Sequence, residues 1–230
     1  MSAITFAIGD VHGCRAKLER LTEHCATYAE KRPFRFVLLG DYIDRGPDSA
    51  GVVRLVKRLS SKRPDVVLCL KGNHEDMLLG VIDSPGDLMW WINNGGETTL
   101  TSYGVKRISE IPPEHIAWMK TLPLYHDDGL RFFVHAGVDP TIKLSEQSEH
   151  TMLWTRERYP ETMNPGRFIV HGHTPLRSRV PELHPHWLNL DTGAVFGGPL
   201  TAAAFNTEQA GPVAFITDAG DVRHLQKRAW

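Results

Sequence analysis

The sequence predicts an α/β fold. Three observations carry it: short apolar runs that close on Gly-Asp or Gly-Asn, helical periodicity between the first of these runs, and a loss of that periodicity in the second half. Ile4-Thr5-Phe6-Ala7-Ile8 is brief, rich in β-branched and aromatic residues, and stops at Gly9-Asp10, the pattern of a buried strand entering a loop. Residues 15–31 place Leu18, Leu21, Cys25 and Tyr28 at spacings of three and four, a helix with one apolar stripe. Phe34–Leu39 is a second strand, closed by Gly40-Asp41; residues 48–62, with Val52, Leu55, Val56 and Leu59, are a second helix. Val66–Leu70 is a third strand, followed by Lys71-Gly72-Asn73. Strand, helix, strand, helix, strand is a βαβαβ unit, which makes a parallel sheet through right-handed crossovers. Loops after the C-terminal ends of such strands gather along one edge, so Asp10, Asp41 and Asn73 are expected to meet.

A helix-rich middle follows, with Trp90-Trp91 and the turn Asn93-Asn94-Gly95-Gly96. Arg131–Val134 then runs into His135, and Phe168–Val170 into His171-Gly172-His173. Strand-like runs at 186–190, 200–205 and 213–217 are separated by Gly and Pro without helices, and are expected to add a mostly antiparallel sheet. No linker, repeat or low-complexity stretch interrupts the chain, so residues 1–230 are expected to form a single domain.

Composition narrows the function classes. The chain is 41% hydrophobic and 23% charged with a net charge of −1, which fits a globular protein and gives no general attraction to nucleic acid. Cys14, Cys25 and Cys69 contain no C-x-x-C pair, and an odd count fits a reducing compartment better than a disulfide framework. The opening MSAITFAIGD lacks a basic leader, and no run approaches the roughly 18–20 apolar residues that span a bilayer, so a cytoplasmic location without membrane contact is expected. Twelve histidines are the compositional oddity, since neutral imidazole is a preferred ligand for transition metals.

Five apolar strands each end in Asp, Asn or His: Asp10-Val11-His12-Gly13, Asp41, Gly72-Asn73-His74-Glu75, His135-Ala136-Gly137 and His171-Gly172-His173. Any one of these clusters could close a turn. Five in register are a constellation. Mixed oxygen and imidazole ligands suit Mn, Fe, Zn or Co rather than calcium, and two metals about 3.5–4 Å apart on a shared carboxylate are a standard device for hydrolysing phosphate esters.

The motifs Gly9-Asp10-Val11-His12-Gly13, Gly40-Asp41-Tyr42-Ile43-Asp44-Arg45-Gly46, Gly72-Asn73-His74-Glu75, His135-Ala136 and Gly172-His173-Thr174 resemble the phosphoprotein phosphatase branch of the calcineurin-like metallophosphoesterases. The likeness is to the compact bacterial and phage enzymes of that branch and extends to Trp154-Thr155-Arg156-Glu157-Arg158 and Asp191–Phe196. It implies a central β-sandwich of mixed sheets flanked by helices (αββα), and a metal-dependent phosphatase whose dimetal-bound hydroxide attacks phosphate monoesters, phosphoserine and phosphothreonine in proteins above all. Carried over by position, Asp10, His12 and the bridging Asp41 would hold one metal, and Asp41, Asn73, His135 and His173 the other. The ions implied are two divalent transition metals, manganese first, with Fe, Zn, Co and Ni as the others such a site takes. His74 would protonate the leaving alkoxide, with Asp44 orienting its ring and favouring the imidazolium; Arg45 and Arg156 would bind phosphate oxygens as planar forks. Two divalent ions against two carboxylates and one hydroxide leave a net charge of about +1 to meet phosphate in a slightly acidic protein.

One departure stands out: His171 occupies a position that is apolar in the phage-type pattern. Alternation along a strand points His171 and His173 the same way; the Gly-His-Thr match selects His173 as ligand and leaves His171 a structural or supporting role. Glu75 and Asp76 read as caps of a helix over Asp76–Val81, Trp90-Trp91 as core, and His115, His126, His150, His184, His186 and His224 as surface or satisfied core. The expected partners are a phosphorylated protein or small phosphoester, with no nucleic acid, and the chain is expected to be a monomer or weak oligomer. Hydrolysis of dinucleoside polyphosphates such as diadenosine tetraphosphate, or of phosphomonoesters and phosphodiesters with broad specificity, is the alternative on the same scaffold; the dinucleotide-cleaving relatives commonly carry GNHD and often lack the aspartate of DRG, where this chain has Glu75 and Asp44.

Overall fold

The computed structural model describes residues 2–157, 159 and 165–226. In chain order it contains β1 (Ile4–Ile8), α1 (Arg15–Ala29), β2 (Phe34–Leu38), α2 (Ser49–Lys62), β3 (Val67–Cys69), α3 (Asn73–Asp83), α4 (Leu88–Trp91), α5 (Glu97–Tyr103), α6 (Pro113–Lys120), β4 (Tyr125–Asp127) and β5 (Arg131–Val134). There follow α7 (Glu149–Trp154), β6 (Phe168–His171), β7 (Glu182–Leu183), β8 (Trp187–Asn189), β9 (Thr201–Phe205), β10 (Ala214–Thr217) and β11 (Val222–His224). The first half follows its expected order: β1, β2 and β3 are parallel, with Phe6 opposite Phe36 and Leu38 opposite Cys69.

The second half departs from its expected order. The first sheet has six strands in the order β11-β10-β9-β1-β2-β3, and the second has five in the order β4-β5-β6-β8-β7. The three strands at the middle of the second sheet are parallel, and only β4 and β7 at its edges are antiparallel. The helix α7 and the long segment after β6 supply the crossovers that parallel pairing needs. The antiparallel strands β9, β10 and β11 join the first sheet instead, β9 pairing with β1.

Strand alternation divides the core into layers. Phe6, Ile8, Phe36 and Leu38 face α1 and α2 and pack with Leu18, Leu21, Val52 and Val56. Their neighbours Ala7, Val37 and Leu39 face the other way, against Phe133, Val170 and Leu188 of the second sheet. Phe132, Val134 and Ile169 cover the outer face of that sheet, with Met152 of α7. The result is the αββα sandwich, with the C-terminal ends of β1, β2, β3, β5, β6 and β8 opening on one edge. Among the described residues no helix is long and apolar enough to cross a membrane.

Candidate active site

Those six strand ends deliver Asp10, Asp41, Asn73, His135, His173 and Asp191 to one place, and His12 joins them; all are buried. The loops that carry them are bent hard. His12, Asp41, Asp44, Arg45 and His173 all have φ between 41° and 71°, in the left-handed region, each at a cost of about 1–3 kcal/mol. Interlocking backbone bonds hold two of these loops together: Val11 and His12 donate to the Asp41 carbonyl at 3.1 and 2.7 Å, and Gly13 donates to that of Tyr42 at 3.0 Å. Two motif glycines make room for carboxylates. A Cβ on Gly72 would strike the Asp41 side chain and backbone nitrogen, and one on Gly172 would strike the Asp10 carboxylate.

The donor set fits divalent cations. His12 and His135 each direct Nδ1 at a backbone carbonyl, of Ile43 and Leu39, both at 2.9 Å. A carbonyl only accepts, so Nδ1 carries the hydrogen; burial lowers the His135 pKa, which keeps that ring neutral and its Nε2 a lone pair. That lone pair faces Asn73 Oδ1 at 2.8 Å and Asp41 Oδ1 at 3.5 Å, while His12 Nε2 lies 3.3 Å from Asp41 Oδ2. His173 Nδ1 is 2.9 Å from Asn73 Oδ1, and its buried Nε2 has no partner among the described residues. Electron-pair donors crowded in this way are what a cation relieves. Two groups of side chains share Asp41: His12, Asp41 and His74, and Asp41, His135 and His173, each with ligand atoms within 4.8 Å of one another. Asp10 lies beside them and accepts the His173 amide at 3.1 and 3.2 Å. Its pKa is raised well above the usual carboxylate value by burial and by the carboxylates of Asp191 and Asp41, a repulsion that positive charge would cancel. For Asp41 burial pulls the same way but is outweighed by His135, His74 and His12, so it stays ionised.

His74 sits at the start of α3, its ring edge-on to His12 at 4.6 Å. Its Nδ1 meets Asp44 Oδ2 at 2.7 Å, and its Nε2, buried, has no partner among the described residues. Burial lowers the His74 pKa; Asp41 and Asp44 push it upward without overcoming that, so the imidazolium expected from the sequence is not the favoured form here. Asp44 is itself fixed: Trp91 Nε1 donates to Oδ2 at 2.9 Å, and the Thr99 hydroxyl donates to Oδ1 at 2.7 Å. Arg45 Nη1 donates to His12 Nε2 at 2.8 Å, and its guanidinium lies over the Phe196 ring at 5.6 Å. Arg156 is exposed, near enough to His173 that its charge helps lower that pKa; Arg158 of the same motif lies outside the described residues.

Three positions depart from the sequence reading or add to it. The helix α3 starts at Asn73, three residues before the expected Asp76, and Glu75 does more than cap it. The buried Glu75 carboxylate accepts from the backbone of Gly72 at 3.0 Å, Asp41 at 2.9 Å, Tyr42 at 2.8 Å and Ile43 at 3.3 Å, clamping the Asp41 loop to the helix. Trp91 is core as expected and also a hydrogen-bond donor to Asp44, whereas Trp90 is 49% exposed. The third is Thr99, which nothing in the motifs marked. His171 belongs to neither His/Asp group: its ring packs against Tyr159 and Trp187, each at 5.8 Å, and burial lowers its pKa to about 4.

The pattern of the calcineurin-like phosphoesterases matches residues 5–207, nearly the whole chain. This chain belongs to that family. Among calcineurin-like phosphoesterases it is 32% identical over 207 residues to serine/threonine-protein phosphatase 1 of Salmonella typhimurium, covering 86% of this chain and 90% of that one. It is 30% identical over 226 residues to the asymmetrical bis(5'-nucleosyl)-tetraphosphatase PrpE of Bacillus anthracis, covering 86% and 89%. The cold-active protein-tyrosine phosphatase of a psychrophilic Shewanella superposes with a TM-score of 0.69 over 98% of this chain and 81% of its own, at 18% identity, a likeness of fold alone. As a calcineurin-like phosphoesterase the chain is a phosphoester hydrolase of a metal-dependent family.

Proposed function

We propose that residues 1–230 act as one cytoplasmic domain that hydrolyses phosphate monoesters, with phosphoserine and phosphothreonine in proteins as the leading substrates, using two divalent metal ions. The observation that carries this is the pair of buried His/Asp groups sharing Asp41. In this reading Asp10, His12 and Asp41 hold one ion, and Asp41, Asn73, His135 and His173 the other; a mixed oxygen and imidazole set suits manganese. Bound ions of this kind supply a water acidic enough to lose its proton near neutral pH and positive charge to meet phosphate. The side chains do the rest. Arg45 and Arg156 receive phosphate oxygens, and moving the Arg45 guanidinium from His12 to phosphate exchanges one acceptor for a charged one. His74 turns Nε2, the nitrogen that Asp44 leaves free, toward the leaving oxygen; burial favours the neutral ring, so Nε2 first takes up a proton, which the negative charge of bound phosphate favours, and then gives it to the departing alkoxide.

A second reading is cleavage of dinucleoside tetraphosphates. The near-equal likeness to the Salmonella phosphatase and to PrpE keeps it in play, and an exposed tryptophan stack beside His173 favours it. One kinetic panel on the manganese-loaded enzyme separates the two: phosphoserine, phosphothreonine and phosphotyrosine peptides, diadenosine tetraphosphate and a phosphodiester. The phosphoserine and phosphothreonine peptides are expected to give the highest kcat/KM. A dinucleotide preference above about tenfold, roughly 1.4 kcal/mol, would displace them.

A further inference from the structure

Trp90 and Trp91 are neighbours with opposite fates. Trp91 is fully buried behind Asp44, while Trp90 keeps 49% of its surface in solvent, next to Met89 at 62% and Leu88 at 40%. Exposed indole is an unusual use of the largest apolar side chain, and here it is not isolated. The Trp90 ring stacks on Trp154 at 5.4 Å and 26°, and Trp154 also stacks with His150 at 6.5 Å and 18°. Trp154 is pinned: its Nε1 donates to Asp76 Oδ2 at 3.3 Å, and its ring meets His173 edge to face at 6.4 Å. A stack of aromatic rings therefore leads from His173 through Trp154 to the half-exposed ring of Trp90. Arg156, two residues beyond Trp154, adds positive charge close to His173.

We propose that Trp90, backed by Trp154, is a specificity-determining platform on which a nucleobase of a nucleoside polyphosphate stacks while a phosphate occupies the His/Asp centre. The proposal rests on the phosphoesterase reading above and names the part of the surface that reads the substrate's far end. The side of the Trp90 ring turned away from Trp154 offers a flat π-face, which every nucleobase can match irrespective of its hydrogen-bonding edge. The polyphosphate, which carries several negative charges, is drawn to the side where Arg156 stands. A serine or threonine phosphate has no ring to place there, so the platform should be silent towards it.

The test compares wild type with Trp90→Ala and Trp90→Phe, all manganese-loaded, on diadenosine tetraphosphate and on a phosphoserine peptide without aromatic residues. The alanine variant should lose about tenfold in kcat/KM on the dinucleotide, through KM, the size of one base–aromatic stack, with the peptide changed less than about twofold. Phenylalanine should restore most of the loss. In parallel, titrating adenosine monophosphate should quench tryptophan emission in wild type and do so far less in Trp90→Phe, a readout independent of turnover. Equal losses on both substrates, no loss on the dinucleotide, or quenching unchanged in Trp90→Phe would overturn the platform. If the wild type hydrolyses neither substrate, the phosphoesterase reading fails and the quenching still decides the stacking. If it cleaves the peptide alone and no quenching occurs, the platform fails by itself.

Discussion

His74 is held by Asp44 on one nitrogen and has no partner on the other among the described residues, an asymmetry that supports the proton-transfer role proposed for it. A serine alkoxide needs a proton to depart, whereas nitrophenolate does not. In His74→Asn, phosphoserine hydrolysis should therefore fall by about a hundredfold or more, within the usual range for a general acid, and nitrophenyl phosphate by less than about tenfold. Equal slowing of the two esters would return His74 to the metal group in which geometry alone places it beside His12 and Asp41. The residue before Asn73 gives a second test. Alanine at Gly72 drives a methyl into the Asp41 carboxylate and the loop beneath it, so Gly72→Ala should cost about 1–3 kcal/mol and lower the manganese bound per chain. Urea melts and metal analysis of the purified variant would read both quantities, and full manganese binding would show that the Asp41 loop can yield.

At the scale of elements, α3 is where turn chemistry and site chemistry meet. Its glycine at position 80 has open space around it, so Gly80→Ala in the same helix should stabilise by about 0.5–1 kcal/mol, opposite in sign to Gly72→Ala. Glu75 separates a cap from a clamp. Glu75→Gln replaces one acceptor with an amide that faces backbone donors, and should cost about 1–3 kcal/mol. A cap alone would leave turnover per folded molecule intact; a clamp on the Asp41 loop predicts that kcat and metal content fall with it, measured by thermal melts alongside activity. This role was not legible in the motif, because the donors come from residues 41–43, one crossover away. The same holds for Thr99 and Trp91, which reach Asp44 from helices that carry no motif. What was legible is what local pattern encodes: strand ends at Asp10, Asp41 and His135, and the helices between β1, β2 and β3. Sheet membership was not, because apolar alternation gives a strand its two faces but not its partners; β9 reads alike beside β1 or beside β8.

For the whole molecule, the two sheets meet at an edge where buried carboxylates repel and the His135 lone pair faces the side-chain oxygens of Asn73 and Asp41. Such an edge is a local weakness of the bare chain, and ions that bind the folded state alone repair it by mass action. Free manganese at a hundred times its Kd adds about 2.7 kcal/mol per site. For a chain of this size 1 kcal/mol moves Tm by about 2–4 °C, so one such site should raise Tm by roughly 5–10 °C, and two by more. Chelation followed by back-titration, read by calorimetry, should therefore show Tm climbing with manganese, and the climb should survive in His74→Asn but shrink in Asp41→Asn, which weakens both sites through their shared residue. Magnesium, which holds its water more tightly and prefers oxygen donors, should raise Tm less at equal concentration. A Tm indifferent to manganese would mean that the sandwich already balances its own charges, and that the His/Asp edge is not a metal centre.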